Sequence, residues 1–418
     1  MKISKLNNIL MYILVWFIIY SSALNYTNIP SVFSYLKDII IFYFMALLII
    51  KNKIKKPKDM GISFYILFLL IVIISWLGLI NNTENSKIEI IIRILRYLEF
   101  FILFFIFANI EIICTVPYKN LINWYIALSI VLVFVHIFGY FVPNNIVSIY
   151  IDNKLGNGYY RNRISVGQPA IAVYPMIISY LYLLVYKKNN FKIVLSMIIL
   201  LLGIFISIST TGILAILVTT LIFIIYNRFK NNFKKVIYTI LSISIIFFVG
   251  IIIIRNIPEL NELYEKQSKM LSIKIEALYK ENITDFSMKT RNDKYNDIKN
   301  SKKNIFEKIV GIGLLGYNAN GIVVGSLENT FRTMNVCYGI IGLLTYVAFI
   351  ARHIIYEIKH IGSKDGMFII LLFIVFAMHS YTLEVLYLPT ISYTLSLFYC
   401  YIKNKNIKRE DKSENIDN

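Results

Sequence analysis

Apolar runs of about 15–22 residues follow one another along almost the whole chain, and short polar segments separate them. A helix needs roughly 20 mostly apolar residues to cross the hydrocarbon core of a bilayer. Each run therefore predicts one transmembrane helix, and we expect an all-α, polytopic integral membrane protein with about 12 such helices. The predicted helices cover 9–24, 32–50, 62–80, 88–108, 121–142, 166–186, 193–207, 212–226, 236–254, 331–351, 367–383 and 386–401.

Two parts of this pattern leave alternatives open. The helices at 193–207 and 212–226 are short, and the sequence STTG at 209–212 separates two spans or interrupts a single long one. The N-terminal segment, MKISKLNN followed by an apolar run, resembles a signal peptide. Because many further apolar runs follow it, we expect this segment to be retained as the first helix.

The basic residues of the polar segments predict how the helices are oriented. Clusters of Lys and Arg follow helices two, six, eight, ten and twelve, and the positive-inside rule places these exits in the cytoplasm. Both termini are then cytoplasmic. The predicted organisation is a transmembrane region with helices one to nine at 1–254, a large extracytoplasmic loop at 255–330, a second transmembrane region with helices ten to twelve at 331–402, and a cytoplasmic tail at 403–418.

Helical spacing of apolar residues within the large loop predicts an amphipathic helix at 258–281. A second helix is expected at 289–310, before the glycine-rich segment that begins at Gly311. The loop holds 12 basic and 10 acidic residues, so it is nearly neutral. The basic excess of the whole chain therefore resides mainly in the segments that orient the helices.

Composition excludes a soluble globular enzyme. Hydrophobic residues make up 57% of the 418 residues and charged residues only 16%, with a mean hydropathy of +0.65. Soluble domains average roughly 45–50% apolar and 25% charged residues. The net charge of +19 is explained by topology, so we expect no nucleic-acid partner. The three cysteines are far apart and share no metal-ligand spacing, and we expect neither a disulfide framework nor a metal site.

Ionisable residues within the predicted spans are costly to insert, and each is therefore a functional candidate. On the predicted topology they all lie toward the outer face, which places the chemistry at the outer leaflet. Arg93, Arg96 and Glu99 share one face of helix four, because they are three residues apart. Arg96 with Glu99 is either part of an anion site or a structural ion pair. The other residues in this group are Lys37, Asp38, His136, His379 and Glu384.

Several arginines on or beside external segments indicate an anionic ligand, because a guanidinium group matches phosphate oxygens and stays charged when partly buried. Arg163, Arg291 and Arg332 are placed where a diphosphate at the membrane surface reaches them. The external segment 25–31 has no carboxylate, which argues against a glycosyltransferase that uses a polyprenyl-phosphate sugar. The chain contains no P-loop, HExxH or GxSxG motif, and no GxGxxG turn that follows a predicted strand.

The segment from Thr290 to Leu344 carries a more specific pattern. It reads TRNDKYNDIKNSKKNIFEKIVGIGLLGYNANGIVVGSLENTFRTMNVCYGIIGLL. An arginine, Arg291, is followed by a GxG segment at Gly311 and Gly313 and by the pair Glu328–Asn329, and Gly339 and Gly342 come 11 and 14 residues after Glu328. With its long external loop, the chain resembles the Wzy-type polysaccharide polymerases and the related O-antigen ligases.

The sequence departs from the ligases at two positions. Ligases commonly have Ser-Arg-Gly before helix eight, where this chain has Thr211 before Gly212. Glu328 stands where ligases usually have histidine, and glutamate there is familiar in the polymerases. The resemblance therefore favours a polymerase over a ligase, which stays an alternative.

The resemblance implies a metal-independent glycosyltransferase without a cofactor. It would join undecaprenyl-diphosphate-linked oligosaccharide repeat units into O-antigen or capsular polysaccharide at the outer face of the bacterial cytoplasmic membrane. Glu328 is then the catalytic base, unless its carboxylate only stabilises a helix N-terminus. Arg163, Arg291 and Arg332 bind the diphosphate, and Arg93 and Arg96 form a second anchoring layer.

The implied partners are the lipid-linked donor and acceptor, the lipid bilayer, a flippase and a chain-length regulator. The alternative from another class is a flippase or transporter of lipid-linked oligosaccharide. That class predicts charges at the bilayer midplane and two similar halves, rather than one large external loop.

Overall fold

A computed structural model describes residues 2–24, 32–52, 54–81, 87–141, 169–186, 190–207, 209–229, 304–314 and 329–414, together with a few single residues between positions 241 and 296. Over these residues the protein is all-helical, without a β-strand. The helices are α1 Lys2–Leu24, α2 Val32–Ile50, α3 Gly61–Asn81, α4 Lys87–Ala108, α5 Ile110–Ile113, α6 Tyr118–Phe141, α7 Pro169–Tyr186, α8 Phe191–Ile206, α9 Thr210–Phe229, α10 Ile305–Val310, α11 Thr330–Cys337, α12 Gly339–Ile358, α13 Lys364–Thr382 and α14 Pro389–Glu414.

Five of the described helices are long and apolar enough to cross a membrane. The spans are Ser4–Ser21, Gly61–Ile80, Tyr118–Ile137, Gly339–Ile358 and Lys364–Thr382, and three shorter apolar helices lie at Ala170–Tyr186, Phe191–Ile206 and Thr210–Tyr226. Large apolar side chains on α3, among them Ile62 and Trp76, are exposed, as expected of a surface that faces lipid. The protein is therefore a helical, membrane-embedded protein. The total of twelve spans and the large loop stay predictions.

The predicted helix boundaries need correction in three places. The single helix expected at 331–351 is two helices, α11 and α12, because Gly339 has a φ of +65° that ends a right-handed helix. The residues predicted as a tail from 403 onward continue α14 as far as Glu414, since they include good helix formers and neither Pro nor Gly. The last part of the helix predicted at 289–310 is a separate helix, α10, preceded by Asn304.

Two separate helices meet at the STTG sequence, since α8 ends at Ile206 and α9 begins at Thr210. Thr211 at the start of α9 bonds to Thr382 at the end of α13, with 3.2 Å between the hydroxyl oxygens. Tyr226 near the other end of α9 donates to the carbonyl oxygen of Gly362, which follows α12. The helix predicted at 236–254 and the amphipathic helix predicted at 258–281 lie outside the described residues, apart from single positions.

Segments that the sequence predicts to be cytoplasmic meet at one end of the bundle, which we call the basic end and define by residues 51–60, 109–117, 359–363 and 403–405. Lys51 donates to the carbonyl oxygen of Ile112 at 2.6 Å, and the Tyr399 hydroxyl donates to the carbonyl oxygen of Lys58 at 3.0 Å. The side chain of Asn7 donates to the carbonyl oxygen of Ile113, so α1 begins at this end too. The helices therefore alternate in direction as the sequence predicts, while the side of the membrane on which this end lies stays a prediction.

A buried lysine joins two of these segments, 51–60 and 403–405, to the end of α12. The Lys403 ammonium lies 2.8 Å from Asp59 Oδ2 and 2.5 Å from Glu357 Oε1. Burial alone lowers the pKa of Lys403, but the two hydrogen-bonded carboxylates outweigh burial and raise this pKa above its ordinary value. A raised lysine pKa contributes stability that is lost only as the pH rises through it, so this clamp is charged at neutral pH.

The core of the bundle forms around α14, which packs against α1, α4, α7 and α13. Side chains of α7 and α13 are buried almost throughout, so these helices are central. The three cysteines are buried free thiols. The candidate functional site lies at the end of the bundle opposite the basic end.

Candidate functional site

The opposite end of the bundle is formed by the start of α2, the first half of α4, α11, the connection at 383–388 and the start of α14. Four charged side chains meet there in what we call the ionic cluster: Lys37, Asp38, Arg96 and Glu99. Lys37 contacts Asp38 and lies 3.5 Å from Glu99 Oε2, and Arg96 Nη1 lies 3.2 Å from Asp38 Oδ1 and 3.7 Å from Glu99 Oε2. The Tyr393 hydroxyl donates a further hydrogen bond to Glu99.

The ionic cluster balances two positive against two negative charges. Lys37 is 2% exposed and Glu99 is 1% exposed, and a charge at such a depth is costly unless it is paired. The cluster thereby fixes α2 to α4, and the hydrogen bond from Tyr393 to Glu99 adds α14. In the structure, Arg96 lies close to both Glu99 and Asp38, which compensate its charge. Of the two interpretations of Arg96, this favours the structural ion pair.

Arg93 lies one helical turn before Arg96 but has different surroundings. Its guanidinium group is 5.5 Å from the centre of the Tyr387 ring, a cation–π contact. In the part of the chain that the structure describes, it forms no ion pair. A step of three residues leaves the two side chains on one face but offsets them by about 60° and by about 4.5 Å along the axis, so they meet different neighbours. Among the described residues, the positive charge of Arg93 therefore has no ion-pair partner at this end.

Glu384 is a second notable group near Arg93. It lies in the connection between α13 and α14, and its side chain is 4% exposed. One carboxylate oxygen, Oε1, accepts a hydrogen bond from the Tyr97 hydroxyl, and Oε2 has no hydrogen-bond partner among the described residues. The ring of Tyr97 is 6.4 Å from that of Tyr387, which connects Glu384 to the aromatic residue under Arg93. The sequence shows that Glu384 is costly to insert, but not that Tyr97 and Tyr387 connect it to Arg93.

The residues that follow Glu328 in the sequence hold this connection in place. The Thr330 hydroxyl donates to the carbonyl oxygen of Leu383 and accepts from the backbone N–H of Val385, both at 2.8 Å. Asn329 donates to the carbonyl oxygen of Tyr381 at 2.7 Å and caps α11 by accepting from Arg332 N–H. The start of α11 is thus fixed to both residues that flank Glu384.

Arg332 connects the start of α11 to the predicted external loop. Its guanidinium group lies 4.9 Å from the ring centre of Tyr295, whose hydroxyl accepts a hydrogen bond from Asn335 at 2.9 Å. Among the predicted site residues, Arg93, Arg96 and Arg332 therefore lie at the same end of the bundle. Arg163, Arg291 and Glu328 lie outside the described residues, so their positions stay predictions.

The GxG segment docks backbone against backbone. Gly313 N–H donates to the carbonyl oxygen of Cys337 at 2.9 Å, and a Cβ atom on Gly313 would lie 2.2 Å from the backbone nitrogen of Gly78 in α3. Gly311 has a φ of +94°, and its Cβ would lie 2.2 Å from the Cys337 oxygen. These glycines thus permit a close approach of the loop to α3 and to the α11–α12 junction. The observed contacts of this part of the motif are structural.

We expect Gly313→Ala to lower the thermal unfolding temperature of the purified protein. The φ of +85° costs an L-residue on the order of 1–2 kcal/mol, and the backbone of α3 must also move. Gly362→Ala is the matched control, because its added Cβ meets no atom within 4 Å. Equal unfolding temperatures for the two variants would show that the close approach is unimportant.

Neither a metal centre nor a relative is found for this site. Among the described residues, no group of three or more His, Cys, Asp or Glu side chains is placed to hold a metal ion. No model of a known protein family matches the chain, and no curated protein matches it either. The basis for a function is therefore the chemistry and geometry of these residues.

Proposed function

We propose that the protein is a membrane glycosyltransferase that polymerises undecaprenyl-diphosphate-linked oligosaccharide repeat units into O-antigen or capsular polysaccharide at the outer face of the cytoplasmic membrane. The observation that carries the proposal is Arg93, a guanidinium group that forms no ion pair among the described residues and lies over the Tyr387 ring at the same end of the bundle as the buried Glu384. A diphosphate linked to a lipid enters from the bilayer and needs a cation at this depth. A soluble anion would not require one.

The reaction transfers a glycan without a nucleotide. The oxygen of an acceptor sugar hydroxyl attacks the anomeric carbon of the donor glycan, and the bond from that carbon to the diphosphate oxygen breaks. The glycan is then joined to the acceptor, undecaprenyl diphosphate leaves with the bonding electron pair, and the hydroxyl proton passes to a carboxylate. Negative charge therefore develops on the diphosphate, and preorganised arginines stabilise it.

Each residue has one role in this proposal. Arg93 and Arg332, together with Arg291 of the motif and Arg163 of the external segment before the helix predicted at 166–186, bind the diphosphate, and Glu328 accepts the proton. Arg96 has a structural role, since Asp38 and Glu99 compensate its charge. Glu384 is a positioning residue that holds Tyr97 and, through it, the aromatic surroundings of Arg93.

The experiment replaces two motif residues in a host that needs this gene for its surface polysaccharide. We expect Glu328→Gln and Arg291→Ala each to abolish long polymer while single repeat units still reach the cell surface. Lys364→Gln, an exposed lysine at the basic end, is the control and leaves polymer length unchanged. Long polymer in both motif variants, at normal protein levels, would contradict the assignment.

A further inference from the structure

A cleft between α1 and α6 lies at the basic end, away from the proposed catalytic site. Tyr12, Asn120, Asn123, Trp124 and Ala127 line it. The rings of Tyr12 and Trp124 meet edge to face with 6.1 Å between their centres, and Trp124 is 40% exposed. None of these residues belongs to the ionic cluster or to the proposed diphosphate site, so the proposed catalysis does not account for the cleft.

The helices that form the cleft are firmly joined. Tyr20 on α1 donates to the carbonyl oxygen of Leu128 on α6 at 3.1 Å, and Asn8 bonds to Thr115 just before α6. The cleft is therefore a fixed feature of the helix pair. Its volume of about 560 Å³ is within the range of roughly 300–1,000 Å³ of small-molecule sites.

Polarity changes along the cleft in the order of a phospholipid. Lys5 lies seven residues before Tyr12 and so shares its face of α1, while Lys119 lies in the first turn of α6, and both lysines are exposed. The amide side chains of Asn120 and Asn123 come next, followed by the two aromatic rings and then by Ala127. Trp and Tyr favour the level of the lipid headgroups, and lysines there attract anionic lipid.

We propose that this cleft binds one anionic phospholipid from the leaflet at the basic end. Lys5 and Lys119 attract the negatively charged headgroup, the amides of Asn120 and Asn123 donate to its phosphate oxygens, and an acyl chain lies over Trp124 and Ala127. The two lysines are the reason for preferring an anionic over a zwitterionic lipid, because no acidic side chain is among the described residues that line the cleft. The proposal is independent of the glycosyltransferase function.

Tryptophan quenching tests the site, because the chain has only three tryptophans. A variant with Trp16→Phe and Trp76→Phe keeps Trp124 alone, and a variant with Trp16→Phe and Trp124→Phe keeps Trp76, which is 59% exposed on α3, as the matched control. Both are reconstituted in phosphatidylcholine vesicles with a minor share of phosphatidylglycerol. The brominated chain is carried either by the phosphatidylglycerol or by an equal share of the phosphatidylcholine.

We expect brominated phosphatidylglycerol to quench Trp124 several-fold more than brominated phosphatidylcholine does, and both lipids to quench Trp76 equally. Adding Lys5→Gln and Lys119→Gln to the Trp124 variant should remove the preference, at about fivefold in lipid affinity for each lysine. Equal quenching of Trp124 by the two lipids would overturn the proposal. So would a preference that survives in the double lysine variant, or a Trp124 that neither lipid reaches because another molecule covers it.

Discussion

Replacing Arg93 by glutamine is expected to slow polymer extension by at least about a hundredfold while leaving the thermal stability of the protein almost unchanged. The loss of rate follows because preorganised groups that stabilise developing charge contribute factors of about 10²–10³ each. Stability changes little, since the contact of Arg93 with Tyr387 is a cation–π interaction worth on the order of 0.5–2 kcal/mol. The measurement is the extension rate of purified variants, alongside their unfolding temperatures.

Arg96→Gln supplies the contrast, because it changes an arginine only one turn away. Its removal leaves Asp38 and Glu99 with Lys37 as their only remaining partner in the cluster, so this variant should lose stability. Arg93→Lys should fall between wild type and Arg93→Gln in rate, because lysine keeps the charge but not the planar fork. An Arg93→Gln variant that unfolds at a much lower temperature than Arg96→Gln, or that extends polymer at the normal rate, would contradict the roles given to these two arginines.

The second large effect is expected from Lys37→Met in the ionic cluster. Without the ammonium group, the buried carboxylate of Glu99 and the partly buried one of Asp38 share a single arginine, and breaking a buried ion pair in this way costs about 3–5 kcal/mol. The double variant Lys37→Met/Glu99→Gln restores the balance of charge, and a glutamine oxygen still accepts from Tyr393. It should therefore recover a large part of the loss.

Chemical or thermal unfolding of the protein in one detergent measures this difference between the single and double variants. A Lys37→Met protein as stable as wild type would show that the cluster does not hold α2, α4 and α14 together. A double variant less stable than the single one would show that packing, rather than charge balance, determines the stability of the cluster.

The apolar pattern predicted the bundle because the bilayer imposes the same length on every spanning helix. It could not predict the break between α11 and α12, since the apolar run continues through Tyr338, and only the close approach of Gly339 to Ile309 requires a left-handed residue there. The alternating direction of the described helices was predictable, because basic residues cluster in every second connection.

The two arginines of α4 show where the sequence cannot predict the site. Arg93 and Arg96 have the same chemistry and nearly the same position along the chain. What separates them is Asp38, contributed by another helix 58 residues away, and Tyr387, which lies in the distant connection at 383–388. Such differences depend on tertiary packing, so the sequence assigns both arginines to one layer. The roles of Arg163, Arg291 and Glu328 are assigned from the sequence alone.

Extension of a lipid-linked repeat unit by the purified protein tests the central proposal most directly. Wild-type protein in vesicles receives one undecaprenyl-diphosphate-linked repeat unit and no nucleotide, metal or other enzyme. We expect a ladder of glycans that grows by whole repeat units, with one undecaprenyl diphosphate released for each unit joined. A repeat unit that crosses the bilayer but is never extended would contradict the proposal and identify a transporter instead.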